Sequence, residues 1–538
     1  MSRISKSLPK KTNKVENFMG GTSYTINPVN TLKIISASSI FGEASYYRDN
    51  VKDGKYKVDM YGGAYKNELL DSMCVLSDEY KAKSTTEIFI DAIDNALAYD
   101  FMSTLEWAVE LRQKFLMRLN PQIIMVRAAM HPDRAKFTTK YPGKFAEFES
   151  KVMERADEPM VQLAAYMYFN DGKKNNMPTI LKKNVKDKLE SLTRYEVAKY
   201  KNHEIGMIDA VRLTHANNEL IDELMRTGTV EISEDQATWE NLRSAGKTWQ
   251  EILNSNINFG HMAMLRNLRG VFTEINDIEA CREYIGKLKN GVMKGKQFPF
   301  RYLQALKNIK GVNHEPIIID GLEECMDIAV DNMPKLKGKT MCLSDNSGSA
   351  WGGFTSEYGK MTVAEIDNLS SVITAANSEE GYVGKFGDRL IKYPISKRKG
   401  ILSQANDISK NRYNDVGGST EGGIWEFFRD AIANNEWWDN IFIYSDQQAG
   451  HGGLYGTAKH QNEYKDYRMN HTYIDVFKLI QEYRKKVNPK VNVFSVQTAG
   501  YDNVLVPENA YRTSILYGWT GKELVYADAI NKIWDSVE

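Results

Sequence analysis

The chain has 538 residues with 42% hydrophobic and 11% aromatic content, which excludes a disordered protein and supplies core for two or more domains. Lys plus Arg and Asp plus Glu balance at 70 each, so no global charge marks a nucleic-acid partner and any basic surface must be local. The four cysteines (Cys74, Cys281, Cys325 and Cys342) are scattered without a Cys-x-x-Cys pair, which argues against a disulfide or zinc framework.

In chain order, residues 1–16 read as a flexible basic tail. The stretch from Asn17 to Tyr24, with Gly20 and Gly21, reads as a turn, and Pro28 opens a helix-like run through Leu32, Ile35 and Ile40. From about 86 to 332 the apolar period is helical almost throughout. Ile88, Ile90, Ile93 and Leu97 form one stripe; Leu105, Ala108, Val109, Leu111, Phe115 and Leu116 form another. Pro121, Pro132, Pro159 and Pro178 are expected to break such stripes into short helices, and residues 17–335 therefore read as an α-solenoid. Over 336–510 the texture alternates. Strands are predicted at 339–345, 384–393, 440–445 and 491–497, and helices at 361–373, 422–433 and 474–486. Such alternation predicts a doubly wound, mostly parallel sheet. Residues 511–538 turn helical again and are expected to pack back on the helical part.

The first of these strands ends in Asp345-Asn-Ser347-Gly-Ser349, which would place one carboxylate and two hydroxyls at a strand's carboxyl end. That oxygen set suits a hard, octahedral ion such as Mg²⁺, which takes few carboxylates and keeps water. The bland alternative is a Ser/Gly turn after a core strand. Two later stretches sharpen the choice: a Gly417-Gly418-Ser419-Thr420 loop opening a helix, and the apolar strand from Asn440 to Ser445 that ends at Asp446. In that order the three resemble the metal-ion-dependent adhesion site of a von Willebrand factor A domain. The resemblance implies a Mg-type ion held by Asp345, Ser347, Ser349, Thr420 and Asp446. The family's pattern puts Thr directly after the Gly pair, where Ser419 stands here. Thr420 is the preferred ligand, with Ser419 the alternative.

Three stretches give the helical half an identity. One runs from Asn17 to Tyr24 and on to the Gly42–Tyr47 segment; one is Asp209-Ala-Val-Arg212-Leu-Thr-His215. The third joins Met262-Ala-Met-Leu-Arg266-Asn267-Leu-Arg269 to Phe298-Pro-Phe-Arg301. Together, ahead of an A-type domain, they resemble the Ro autoantigen family with its TROVE module, over most of the chain. The resemblance implies HEAT-like helical repeats closed into a ring that the A domain seals. It implies a ribonucleoprotein scaffold in RNA quality control or processing, which binds Y-like non-coding RNA and the single-stranded 3′ ends of misfolded RNA. An exoribonuclease is a further implied partner. RNA contacts would come from Arg212, His215, His261, Arg266, Asn267, Arg269 and Arg301. The physics agrees: Arg266 and Arg269 share one helix face and could both meet phosphate, as could Arg212 and His215. His215 equally suits a helix C-terminus, and Asn267 equally suits a bond to the backbone of a neighbouring repeat.

Enzyme motifs fail at required positions. Gly246-Lys-Thr and Gly338-Lys-Thr lack the earlier Gly of a phosphate-binding loop, Asn241 and Met333 standing there; His203-Glu lacks the second His of a zinc-protease helix. The chain is therefore expected to be no enzyme, a monomer, cytoplasmic, and without a signal peptide or membrane span, since no apolar run nears the roughly 20 residues a spanning helix needs. A rival reading makes the A domain the working surface, a Mg-dependent protein–protein adhesion or assembly scaffold.

Overall fold

The structure, a computed structural model, describes residues 14–16, 22–37, 85–170, 172–200, 205–232, 238–255, 257, 259–295, 297–331, 333–352, 361–418, 421–447, 449, 474–498, 503–507, 510–517 and 523–537. Helices fill the region from Pro28 to Asp331, and an α/β unit follows. Each helix packs chiefly on those one to three places along the chain, as in a solenoid of repeats. Sequence chemistry sets many of the helix starts. The Asp100 and Asn218 side chains accept from Ser103 N and Ile221 N, and Thr248 with Glu251 forms a reciprocal capping box. As expected, the prolines mark helix boundaries: Pro132 lies between the helices Leu119–Met130 and Arg134–Lys140, Pro178 directly precedes Thr179–Glu190, and Pro121 and Pro159 open helices. The last two fall in the first turns of Leu119–Met130 and Glu158–Phe169, where a missing N–H costs nothing.

The sheet has nine strands' worth of pairing in two pieces among the described residues. Strands β1 (Lys14–Glu16), β2 (Thr22–Thr25) and β8 (Asn503–Val504) form a small antiparallel sheet. The larger sheet runs β5-β4-β3-β6-β7-β9, from β3 (Leu336–Asp345), β4 (Ser378–Phe386), β5 (Leu390–Pro394), β6 (Asn440–Ser445), β7 (Asn492–Gln497) and β9 (Thr513–Tyr517). All its neighbours are parallel except β4 with β5. Helices cover it on both faces: Val363–Ala376 and Ile401–Ser409 share a core with Cys342, Phe442 and Phe494, while Glu421–Ala433 and Val476–Lys486 cover Met341, Ile441 and Val493. The alternation of inward residues along each buried strand is what puts one set on each face.

Four sequence expectations need correction. The strand predicted across 384–393 is a hairpin, β4 turning into β5 around Gly387 and Asp388. Thr513–Tyr517 is the last strand of the sheet, so the sheet extends past residue 510, and only Glu523–Val537 is helix. Lys14–Glu16 pairs with Thr22–Thr25, so part of the expected tail and of the expected turn is strand. At three and four residues these strands are too short to carry a readable period, and the second is completed from the far end of the chain, where Tyr24 sits opposite Val504. Residues 1–13, 17–21 and 42–47, which the sequence reading also used, lie outside the described residues.

Both ends of the helical region meet the α/β unit. At the early end, Ala350, Trp351, Val363 and Ala364 join the apolar cluster that runs from Val29 to Val230. Tyr526 of the last helix stacks on Phe115 there. At the late end, the Glu323 carboxylate accepts from Leu402 N at 3.0 Å and Ser403 N at 2.6 Å, an anion on a helix N-terminus. Lys307 pairs with Glu365, whose carboxylate also caps Thr362 N. The helical path thus leaves the α/β unit and returns to it. Among the described residues no helix is long and apolar enough to cross a membrane.

Candidate functional site

The carboxyl ends of β3 and β6 lie side by side in the middle of the sheet, Ser344 opposite Tyr444, and bring Asp345 and Asp446 together. Asp345 is fully buried. Its Oδ1 accepts Ser347 N at 2.8 Å and its Oδ2 accepts the Ser445 hydroxyl at 2.6 Å. The Ser347 and Ser349 hydroxyls are 3.1 Å apart, on the loop whose Ser347 N–H the Asp345 carboxyl accepts. An amide clasp holds this loop from behind: Asn346 and Asn368 bond each other twice, at 2.8 and 3.1 Å, and Asn368 also takes the Ser344 hydroxyl. Gly348 N reaches Gly418 O at 2.8 Å, which ties in the Gly-Gly loop. Gly417 has φ +87°, and its carbonyl would lie 2.2 Å from a Cβ at Gly387, so neither position admits a side chain without a backbone shift. Gln447, at φ +66°, fixes the Asp446 turn through Val496 O and Ser495 Oγ.

Electrostatics shows what this geometry costs. Burial, then the neighbouring Asp446 carboxylate, pushes the Asp345 carboxyl up to about 7, against hydrogen bonds from Ser445 and Ser347 that favour its charge. A third buried acid, Asp367 on the helix Val363–Ala376, is pushed well above the usual carboxylate range by burial and by Asp345 and Asp446. Neither of its oxygens has a hydrogen-bond partner among the described residues, and the nearby Thr498 hydroxyl favours its charge. Buried acids that disfavour one another's charge stay ionised only where positive charge compensates them. The donor set of carboxylates and hydroxyls fits a hard divalent ion. Among the described residues no three His, Cys, Asp or Glu side chains close into a cage by themselves. Thr420 and Ser419 lie outside the described residues, so the choice between them stays as the sequence left it.

The second candidate surface is on the helices. Arg266 and Arg269 of His261–Glu274 and Arg301 of Pro299–Asn308 line one groove together with Gln304 and Asn308. Arg269 donates to Asn308 O at 3.1 Å, which bridges the two helices, and the Arg301 guanidinium lies 4.8 Å from the Phe300 ring centre. Other sequence candidates are placed differently. His261 is buried, its Nε2 3.0 Å from the Tyr302 hydroxyl, and its ring seats against Gly291 and Gly295, where a Cβ would approach it to 3.0 and 2.5 Å. This is a packing position. Asn267 bonds Ala263 O of its own helix at 2.8 Å, so it joins no neighbouring repeat through that bond. His215 closes the helix Met207–Thr214 in a left-handed conformation, its N–H on Val211 O, and Arg212 lies 3.8 Å from Asp209 on the same helix. Neither of these two lines the Arg266 groove.

Sequence reading missed Asp367, Ser445 and Gln447. Asp367 had a visible signal: an acid between Ile366 and Leu369 on a helix whose residues are nearly all buried. Ser445 and Gln447 had none, since their role is to bond across the strand ends.

Fold and site together define a class: a helical-repeat scaffold joined to an α/β domain of von Willebrand A type, with its acidic site at the sheet's carboxyl edge. The fold is similar to that of the Ro (RSR) protein of Deinococcus radiodurans, whose crystal structure superposes with a TM-score of 0.54 at 14% sequence identity, over 82% of this chain and 93% of that one. No family model matches the sequence, and no curated protein matches it. The Ro-type architecture inferred from scattered motifs is therefore present at the level of fold, at a sequence distance where pairwise similarity has faded.

Proposed function

We propose that this protein is an RNA-binding ring scaffold without catalytic activity, which holds single-stranded 3′ ends of misfolded RNA and a small structured, Y-like RNA. The observation that carries it is the convergence of Arg266, Arg269 and Arg301 on one groove from two different helices. Guanidiniums in that arrangement suit successive phosphates, and a neighbouring Phe300 ring suits a stacked base. The likeness to the Ro fold supports the same reading. An exoribonuclease acting on the held end, and a cytoplasmic setting, belong to this proposal.

At the sheet edge, Asp345, Ser347, Ser349, Thr420 and Asp446 would hold a Mg-type ion. When bound, such an ion neutralises the buried acids and offers an open position to an anionic oxygen of a partner. The chain's own part is clear: Asn346 and Asn368 hold the Asp345 loop rigid, and Gln447 aims Asp446. The test is site-resolved. A single-stranded RNA carrying a photoreactive base near its 3′ end should cross-link to peptides from 261–274 or 299–308. Cross-links confined to the sheet-edge loops would move the function to the α/β domain and to the adhesion-type reading.

A further inference from the structure

Behind the sheet-edge site lies a set of buried oxygens for which the fold gives no use. Asp367 and Ser371 stand one turn apart on the helix Val363–Ala376, and Thr498 follows β7. All three are fully buried. Both Asp367 oxygens, the Ser371 hydroxyl and the Thr498 hydroxyl lack a hydrogen-bond partner among the described residues. A core helix could carry Asn or Leu at position 367 without this penalty, and a buried carboxylate without donors is among the most expensive groups a fold can keep. The groups that act on it electrostatically are two more acids, Asp345 and Asp446. Among the described residues the three do not close into one cage, so Asp367 is not joined to the strand-end pair as a direct ligand set.

We infer that Asp367 is a third carboxylate of the cation site, a positioning residue that acts through water held by the Ser371 and Thr498 hydroxyls and raises the site's affinity for a divalent ion. The inference rests on the proposed cation site and deepens it. Groups behind the direct ligands orient them and tune the metal, and their removal commonly costs about 10- to 100-fold in metal affinity. Asp367→Asn keeps the shape and removes the charge. Its metal-free form should melt above the wild type, because the cost of protonating and burying that carboxyl is gone, while its affinity for the ion should fall.

The experiment uses the full chain with Mn²⁺ as the probe, its free concentration read by electron paramagnetic resonance, alongside melting in chelator and in saturating Mg²⁺. Expected are wild-type binding, binding abolished in Asp345→Ala, and binding weakened about tenfold or more in Asp367→Asn. Wild-type binding that Asp345→Ala abolishes and Asp367→Asn leaves unchanged would overturn the role of Asp367 and spare the cation site. Failure of the wild type to bind Mn²⁺ would overturn both. If Asp367→Asn does not fold, Thr498→Val carries the same test: weaker Mn²⁺ binding supports the inference, and unchanged binding overturns it.

Discussion

Tyr526, in the last helix of the chain, stacks on Phe115 of the helical region with ring centres 5.8 Å apart and planes 21° from parallel, and its hydroxyl donates to Glu110. The Lys114 ammonium lies 5.5 Å from the same ring. The same helix is anchored to the sheet, where Trp534 stacks on Phe494 and Asp535 pairs with Arg512 at 3.0 Å. One helix therefore fastens the early helices to the α/β unit, while Glu323 and Lys307 fasten the late ones. This is how a linear run of helices becomes a closed path.

Breaking that fastening should loosen the ring. Tyr526→Ala removes a half-buried aromatic and its stack, and should destabilise the early helices by about 2 kcal/mol. Hydrogen exchange is expected to rise in the helix Phe101–Gln113 while the helix Glu315–Asp331 keeps its protection. Equal exchange in the wild type and in Tyr526→Ala would mean the seam contributes nothing.

The arginine groove makes a quantitative claim on salt. Arg266→Ala with Arg269→Ala and Arg301→Ala should weaken single-stranded RNA binding by roughly one to two orders of magnitude. The slope of log affinity against log salt should flatten by about 2, at about 0.7 per lost phosphate contact. The loss should be uniform across sequences. A folded triple variant with wild-type affinity would remove these residues from the interface.

The strand-end aspartates predict a metal response in melting. Saturating Mg²⁺ should stabilise the wild type by about 2–3 kcal/mol at a hundredfold excess over its dissociation constant, a shift of a few degrees. Asp345→Ala should abolish that shift and leave RNA-end binding largely intact. Identical wild-type melting with and without Mg²⁺ would count against a filled site.

A separate pH prediction comes from the helical core. Glu149 is buried beside Gln162, and burial pushes its carboxyl up to about 7, with Glu158 adding to the rise. The folded state thus binds a proton that the unfolded chain, near 4.5, has released. Stability falls as pH rises from about 4.5 through 7, by roughly 3 kcal/mol at most. Glu149→Gln should match the wild type near pH 4.5 and exceed it at pH 8. Parallel stability curves across that range would contradict the assignment.

How much of this was legible in the sequence depended on how local the signal was. The Asp345 to Ser349 loop and the strand before it could be read because ligand spacing and apolar run sit in one short stretch. The helical half could be read from its period. What was missed is relational. β4 and β5 merge into one apparent strand because the turn at Gly387 to Arg389 is flanked by strand formers on both sides. The burial of His261, named among the RNA contacts, could not be read, because nothing near it in sequence announces Gly291 and Gly295, the bare positions that seat its ring. Arg266, Arg269 and Arg301 were legible as residues, but their shared groove depends on helix packing that no period encodes.

The central claim is that the ring holds RNA by a free 3′ end, and one titration tests it most directly. The full-length protein is titrated against a structured RNA with and without a single-stranded 3′ tail, at two salt concentrations, and binding is read by gel shift. Tail-dependent binding that weakens steeply with salt is the predicted result. Equal binding of both RNAs, or binding of neither at low salt, would contradict it.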